Sequence, residues 1–159
     1  MSEKEFTHVD SRGAARMVDV SGKDVSVREA TATGAVLVSA EVVGLLRGAG
    51  VPKGDALAVA RIAGIQAAKR TPDLVPLCHP IAIHGVTVDL EVLDDRVAIT
   101  ATVRTADRTG VEMEALTCVS VAALALVDMV KAVDPAAVIT DVRVEEKLGG
   151  KTGVWRREP

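Results

Sequence analysis

Four charged side chains stand inside a stretch that should have no place for them, and a fifth, Asp134, closes it. TGVEMEALTCVSVAALALVDMVKAVD, residues 109–134, carries Glu112, Glu114, Asp128 and Lys131 among aliphatic and small residues. Val111, Met113, Leu116, Val119, Leu124, Val127 and Val130 spread around several faces of what reads as one helix of about six or seven turns. A helix that is apolar all round is expected to be buried all round. Charges there cost several kcal/mol each unless they are paired or put to use. Asp128 and Lys131, three apart on one face, form a carboxylate–ammonium couple suited to acid–base work. Structural roles fit the same residues: Thr109 and Glu112 match an S/T-x-x-E capping box, and Asp128–Lys131 matches an ordinary ion pair. Glu114 and Asp128 lie ~21 Å apart along the helix and within about 40° around it. One small ligand cannot touch both within a chain. Two subunits that each lend one helix end to a site would resolve this, and a second apolar helix face favours such packing.

Cations recur elsewhere. Lys53 stands just ahead of a helix start, where free N–H groups favour an anion, although a solvated loop lysine reads the same way. KLGGKTG places Lys147 and Lys151 around two glycines, a loop able to present ammonium and backbone N–H groups to phosphate, or a frayed terminus. It is not a P-loop: G-x-x-x-x-G-K-[ST] would need glycine at position 145, where Glu145 stands. In PLCHP, prolines bracket Leu77, Cys78 and His79 in a stiff turn that could hold a side chain in place for catalysis. His79 alone reads equally as a loop histidine. No Ser-His-Asp order stands out, and three His with two Cys suggest neither a zinc site nor a disulfide framework.

The elements that must position these groups are legible in outline. With 159 residues, 48% hydrophobic and 26% charged, the chain is read as a single domain. One Phe, one Trp and no Tyr leave an aliphatic core and no stack of rings for single-stranded nucleic acid. A net charge of −3 argues against a polyanion surface, so nucleic acid is not an expected partner. No signal peptide or membrane-length apolar run is expected, which places the protein in the cytoplasm and off the membrane. Residues 1–16 read as a flexible arm, 17–153 as the catalytic domain and 154–159 as a tail. TATGAVLVSA reads as a first strand, Glu41 to Gly48 as a short helix, and Asp55 as the N-cap of a second helix that Thr71-Pro72 stops. GVTVDLEVLDDRVAITATVRT alternates as a hairpin turning at Asp94-Asp95, and residues 138–146 as a last strand. The order predicts an α+β, ferredoxin-like β-α-β-β-α-β fold, an antiparallel sheet with helices on one face.

MVDVSGK, KGDALAVARIAGIQAAKRTPDLVPLCHP, TGVEMEALTCVSVAALALVDMVKAVD and DVRVEEKLGGKTG together closely resemble the MoaC-type cyclic pyranopterin monophosphate synthases of molybdenum cofactor biosynthesis. The resemblance covers residues 16–153 in unbroken order. It implies a lyase that takes a 3′,8-cyclised dihydro-GTP to cyclic pyranopterin monophosphate and releases pyrophosphate. It also implies a homohexamer, a trimer of dimers with active sites at the dimer interface. Family positions carried over are Leu77-Cys78-His79, Glu112, Met113 and Glu114 for substrate binding, with Asp128, Lys53 and Lys131 for catalysis. Lys147 and Lys151 match lysines on the phosphate side. No tightly bound cofactor is implied; Mg²⁺ can accompany the substrate phosphates. A module of another kind, binding a nucleotide for regulation without turnover, would need the lysines but not the Asp–Lys couple.

Overall fold

The computed structural model describes residues 4–48 and 56–159. Alternating apolar residues build β1 (Ser26–Leu37), β2 (Gly85–Val92), β3 (Arg96–Asp107) and β4 (Val138–Leu148), and a two-residue β5 (Trp155–Arg156) follows. The strands form one sheet in the order β2-β3-β1-β4-β5 with every neighbouring pair antiparallel. Helices α1 (Ala40–Arg47), α2 (Ala56–Ala68), α3 (Thr71–Leu74) and α4 (Glu112–Val130) complete the chain. With α1 and α3 as additions, this is the expected ferredoxin-like α+β arrangement.

Central strand β1 pairs with β3 over its full length, from Ser26↔Asp107 to Leu37↔Arg96. On its other side the β4 register shifts twice, between Thr31 and Ala32 and between Thr33 and Ala35. Asp141 stands in the second irregularity at φ 56, a left-handed conformation that Asp tolerates. Such bulges increase local twist and curl β4 over the sheet. One sheet face meets α4: Ala32 and Val36 of β1 and Ile99 and Val103 of β3 share an aliphatic core with Ala115, Val119, Ala122 and Leu126. Small residues set the spacing. A Cβ at Gly34 would come within 2.7 Å of Val119 Cγ1, and one at Gly64 within 2.9 Å of the Cys118 carbonyl. The small-residue stripe of α2 therefore seats that helix directly on α4.

Several boundaries differ from expectation. β1 begins at Ser26 because the lead-in SVREA already alternates, and it pairs with β3 from its first residue. β4 runs on to Leu148, and the chain then returns as β5, with Lys147 opposite Trp155. The end of the chain is thus a hairpin rather than a frayed loop. The proposed N-cap Asp55 lies outside the described residues. Helix α4 is shorter than residues 109–134 and is not buried all round: Leu124 is 59% exposed. Its 19 residues include an 18-residue window of mean hydropathy 1.8, long and apolar enough to cross a membrane, contrary to the expectation that no such run exists. Here the helix packs between the sheet and α2 as a core element.

The contact at Gly64 is tested by Gly64→Ala. Alanine gains about 1 kcal/mol of helix propensity over glycine, but its methyl meets backbone and pushes α2 off α4. A net loss of about 1–2 kcal/mol is expected in urea unfolding. Equal or greater stability would show that the two helices have room to spare.

Candidate functional site

Glu112, Met113 and Glu114 form the first turn of α4, where unbonded N–H groups and the helix dipole favour carboxylates. The capping-box reading does not hold: Val111 occupies the cap, no side chain caps the helix, and Glu112 turns instead to Lys147 at 3.3 Å. Gly110 permits this, because a Cβ there would collide with the Glu112 carboxylate. Glu114 is only 3% exposed. Burial pushes its carboxyl up to about 7; its own backbone N–H opposes this and the nearby Glu112 charge adds to it. The PLCHP turn lies against this end of the helix. Its Cys78 thiol is pushed up by burial and then by the charges of Glu114 and Glu112, while Leu77 is half-exposed beside it. His79 Nε2 sits 2.6 Å from the Val18 carbonyl. A carbonyl only accepts, so Nε2 carries the proton and the ring tethers the strap of residues 17–24.

A cavity of about 220 Å³ opens between this helix start, the end of β4 and the strap, lined by Lys23, Arg28, Glu112, Lys147 and Thr152 among others. A second, of about 460 Å³, adjoins it through Lys23 and Arg28 and reaches Lys151. Four cations therefore converge. The two glycines of KLGGKTG make the approach possible. Gly149 and Gly150 adopt φ 89 and 74, and a Cβ at 150 would lie 2.6 Å from an Arg28 guanidinium nitrogen. Among the described residues, Arg28 Nε is buried without a hydrogen-bond partner, a group left for something to satisfy. Lys23 and Arg28 are the residues that reading the sequence misses; the only signal was the basic end of MVDVSGK and one arginine in a strand of small residues.

Asp128 and Lys131 do pair, with Nζ 2.5 Å from Oδ1. They are not buried: their side chains are 69% and 61% exposed. The penalty for burying charge, which first singled them out, therefore does not apply within one chain. The physical reason is the sidedness of α4. Ala115, Val119 and Leu126 face the sheet, Cys118 faces Gly64 of α2, and Met113, Leu124, Asp128 and Lys131 fall within about 60° of each other on the open side. The Cys118 thiol, pushed up to about 12 by burial, is a packing group. Lys53 lies outside the described residues. The described chain thus carries two clusters at opposite ends of α4: Cys78, His79, Glu112, Glu114 and the cations at one, Asp128–Lys131 at the other.

Glu114 gives a pH signature. Its folded carboxyl titrates near 7 against an ordinary 4.5. Below the lower value both states hold the proton and nothing is lost. As pH rises the unfolded chain ionises first, so stability falls across that window and stays low above it. Glu114→Gln should leave Tm nearly unchanged at about pH 4 and raise stability at pH 8 by roughly 1–3 kcal/mol. An equal shift at both pH values would contradict the buried carboxyl.

Residues 17–150 match the sequence profile of the MoaC family. A cyclic pyranopterin monophosphate synthase from Nocardioides sp. is 73% identical over 159 residues, covering 98% of this chain and 98% of the relative. The protein of the same name from Streptomyces coelicolor is 72% identical over 155 residues, 98% of this chain and 91% of the relative. Cyclic pyranopterin monophosphate synthase 2 of Mycobacterium tuberculosis is 60% identical over 153 residues, 96% of this chain and 92% of the relative. A profile that spans most of the chain and identities of this size at nearly full length have one meaning: the chain belongs to the MoaC family.

Proposed function

We propose that this protein converts 3′,8-cyclised dihydro-GTP to cyclic pyranopterin monophosphate with release of pyrophosphate, a lyase step of molybdenum cofactor biosynthesis carried out in the cytoplasm. The observation that carries this reading is the convergence of Lys23, Arg28, Lys147 and Lys151 on two adjoining cavities at the start of α4, where Glu112 pairs with Lys147 and the buried Glu114 follows two residues on. A triphosphate needs several cations; a purine edge needs hydrogen-bonding groups held in place. Here the two lie side by side at the start of α4.

In the proposed reaction the triphosphate occupies the cation cavities while Leu77, Cys78, His79, Met113 and Glu114 bind the ring system. A substrate hydroxyl attacks the α-phosphorus. The new P–O bond closes the cyclic phosphate, the bond to the β-phosphate oxygen breaks, and pyrophosphate departs with its electrons. The lysines and Arg28 stabilise the charge that builds on the phosphates. Conversion of purine to pterin requires protons to leave and rejoin ring nitrogen and carbon, work assigned to Asp128 and Lys131 with Lys53. That pair stands ~21 Å from Glu114 on a rigid helix, so it serves the site of a neighbouring subunit. The open stripe of Met113, Leu124, Asp128 and Lys131 suits coverage by another copy, and the assembly proposed is a homohexamer, a trimer of dimers. Any Mg²⁺ is assigned to the substrate phosphates, whose hard oxygens are the donors that ion prefers.

Supplying the 3′,8-cyclised substrate and measuring pyrophosphate is the direct test. Binding of a GTP analogue with no pyrophosphate release would favour a regulatory nucleotide-binding module instead. Light scattering at micromolar concentration should give a mass several times 16.5 kDa; an active monomer would remove the shared site. Asp128→Asn should leave the fold of the chain intact, since the pair is not part of its core. Its turnover should fall about 10²–10⁴-fold while substrate still binds. Near-normal kcat would leave Asp128–Lys131 as a surface ion pair.

A further inference from the structure

The strap that carries Lys23 has no helix or strand of its own, so side chains must fix where that lysine stands. Its first half is held by the His79 ring at the Val18 carbonyl. A turn follows: the Ser21 N–H reaches Asp19 Oδ1 at 2.9 Å and the Lys23 N–H reaches the Val20 carbonyl at 3.0 Å. The last tie is Arg108, whose Nε donates to the Lys23 carbonyl at 3.0 Å. Arg108 is itself anchored, its N–H donating to Asp107 Oδ1 at 2.7 Å at the end of β3. Lys23 lines both cation cavities; Arg108 lines neither, and instead borders the separate pocket of about 540 Å³ that contains His79 and Asp19.

We infer that Arg108 is a positioning residue for the triphosphate site: through the main chain of Lys23, it holds that ammonium among Arg28, Lys147 and Lys151 without touching the anion itself. The inference rests on the reading of the cavities as the triphosphate site. The bond comes from the ε nitrogen, not from the guanidinium tip. A lysine at 108 would keep the positive charge but put a methylene where that donor now stands. The tie also joins Lys23 to the loop that carries Gly110 and leads into Glu112, so one short segment sets both a phosphate-side cation and the start of α4.

The test is a double-mutant cycle read by calorimetry, with inorganic triphosphate as probe and the full-length protein. Lys23→Ala is expected to weaken binding about 10–100-fold, as loss of a charge-assisted contact does. Arg108→Lys, at an exposed position, should fold with Tm near that of the parent and still weaken binding by about tenfold or more. The double variant should bind no more weakly than Lys23→Ala alone, because Arg108 acts only through that lysine. Arg108→Met, which like lysine has no donor at that position, should behave like Arg108→Lys in the same cycle. Parent-like affinity in Arg108→Lys would overturn the inference, as would losses that multiply in the double variant. Lys147→Ala separates the two levels. If it binds triphosphate normally, the cavity reading fails and takes the inference with it; if it binds weakly while the Arg108 and Lys23 losses multiply, only the positioning role fails.

Discussion

Helix α4 is a rigid rod that is at once the main wall of the core and the carrier of both ionisable clusters. Its 1.5 Å rise per residue holds Glu114 and Asp128 ~21 Å apart. Because the middle of the helix is packed on β1, β3 and α2, no bend or hinge within one chain can shorten that distance. Any chemistry that uses both ends must draw them from different copies. The cation-lined cavities, the PLCHP turn and the strap gather at the first end, and the exposed Asp128–Lys131 pair lies at the other.

The same packing explains why the site end can afford an awkward carboxyl. Core burial by small aliphatic residues around Cys118, Ala122 and Gly64 keeps the helix start in place whatever Glu114 contributes. Burying that carboxyl costs stability at neutral pH, yet it leaves a group near neutrality next to the Cys78 thiol and the Glu112–Lys147 pair. A group poised there can donate or accept a proton, and sites of this kind are often less stable than an apolar replacement. Glycine performs a matching task beside the cation-lined cavities. Gly149 and Gly150 accept left-handed conformations so that β4 can end against Arg28.

Much of this was legible in the residues. The β2–β3 hairpin announced itself through strict alternation and Asp94-Asp95, and α4 through its length and composition. The beginning of α4 was not, because Thr109 and Glu112 satisfy a capping pattern that the Gly110 turn sets aside. Exposure of Asp128 and Lys131 is not legible for a related reason: composition tells how apolar a helix is, not which of its sides has a neighbour. Lys23 and Arg28 do not stand out in the sequence because isolated cations in a loop and a strand look solvated. Their convergence with Lys147 and Lys151 depends on the β1–β4 register and the β4–β5 hairpin, which only the folded chain supplies.

Subunit complementation tests most directly whether one site uses opposite helix ends from two copies. Asp128→Asn and Lys147→Ala, each impaired alone, would be co-expressed in equal amounts and assayed for pyrophosphate release from the cyclised substrate. If sites are shared across a two-fold interface, random mixing restores about a quarter of them to the unmutated pair of ends. Activity should then rise well above the mean of the two separate variants, toward that fraction of the parent. If every site lies within one chain, each still carries a defect, and activity in the mixture equal to the mean of the two variants would contradict the shared-site account.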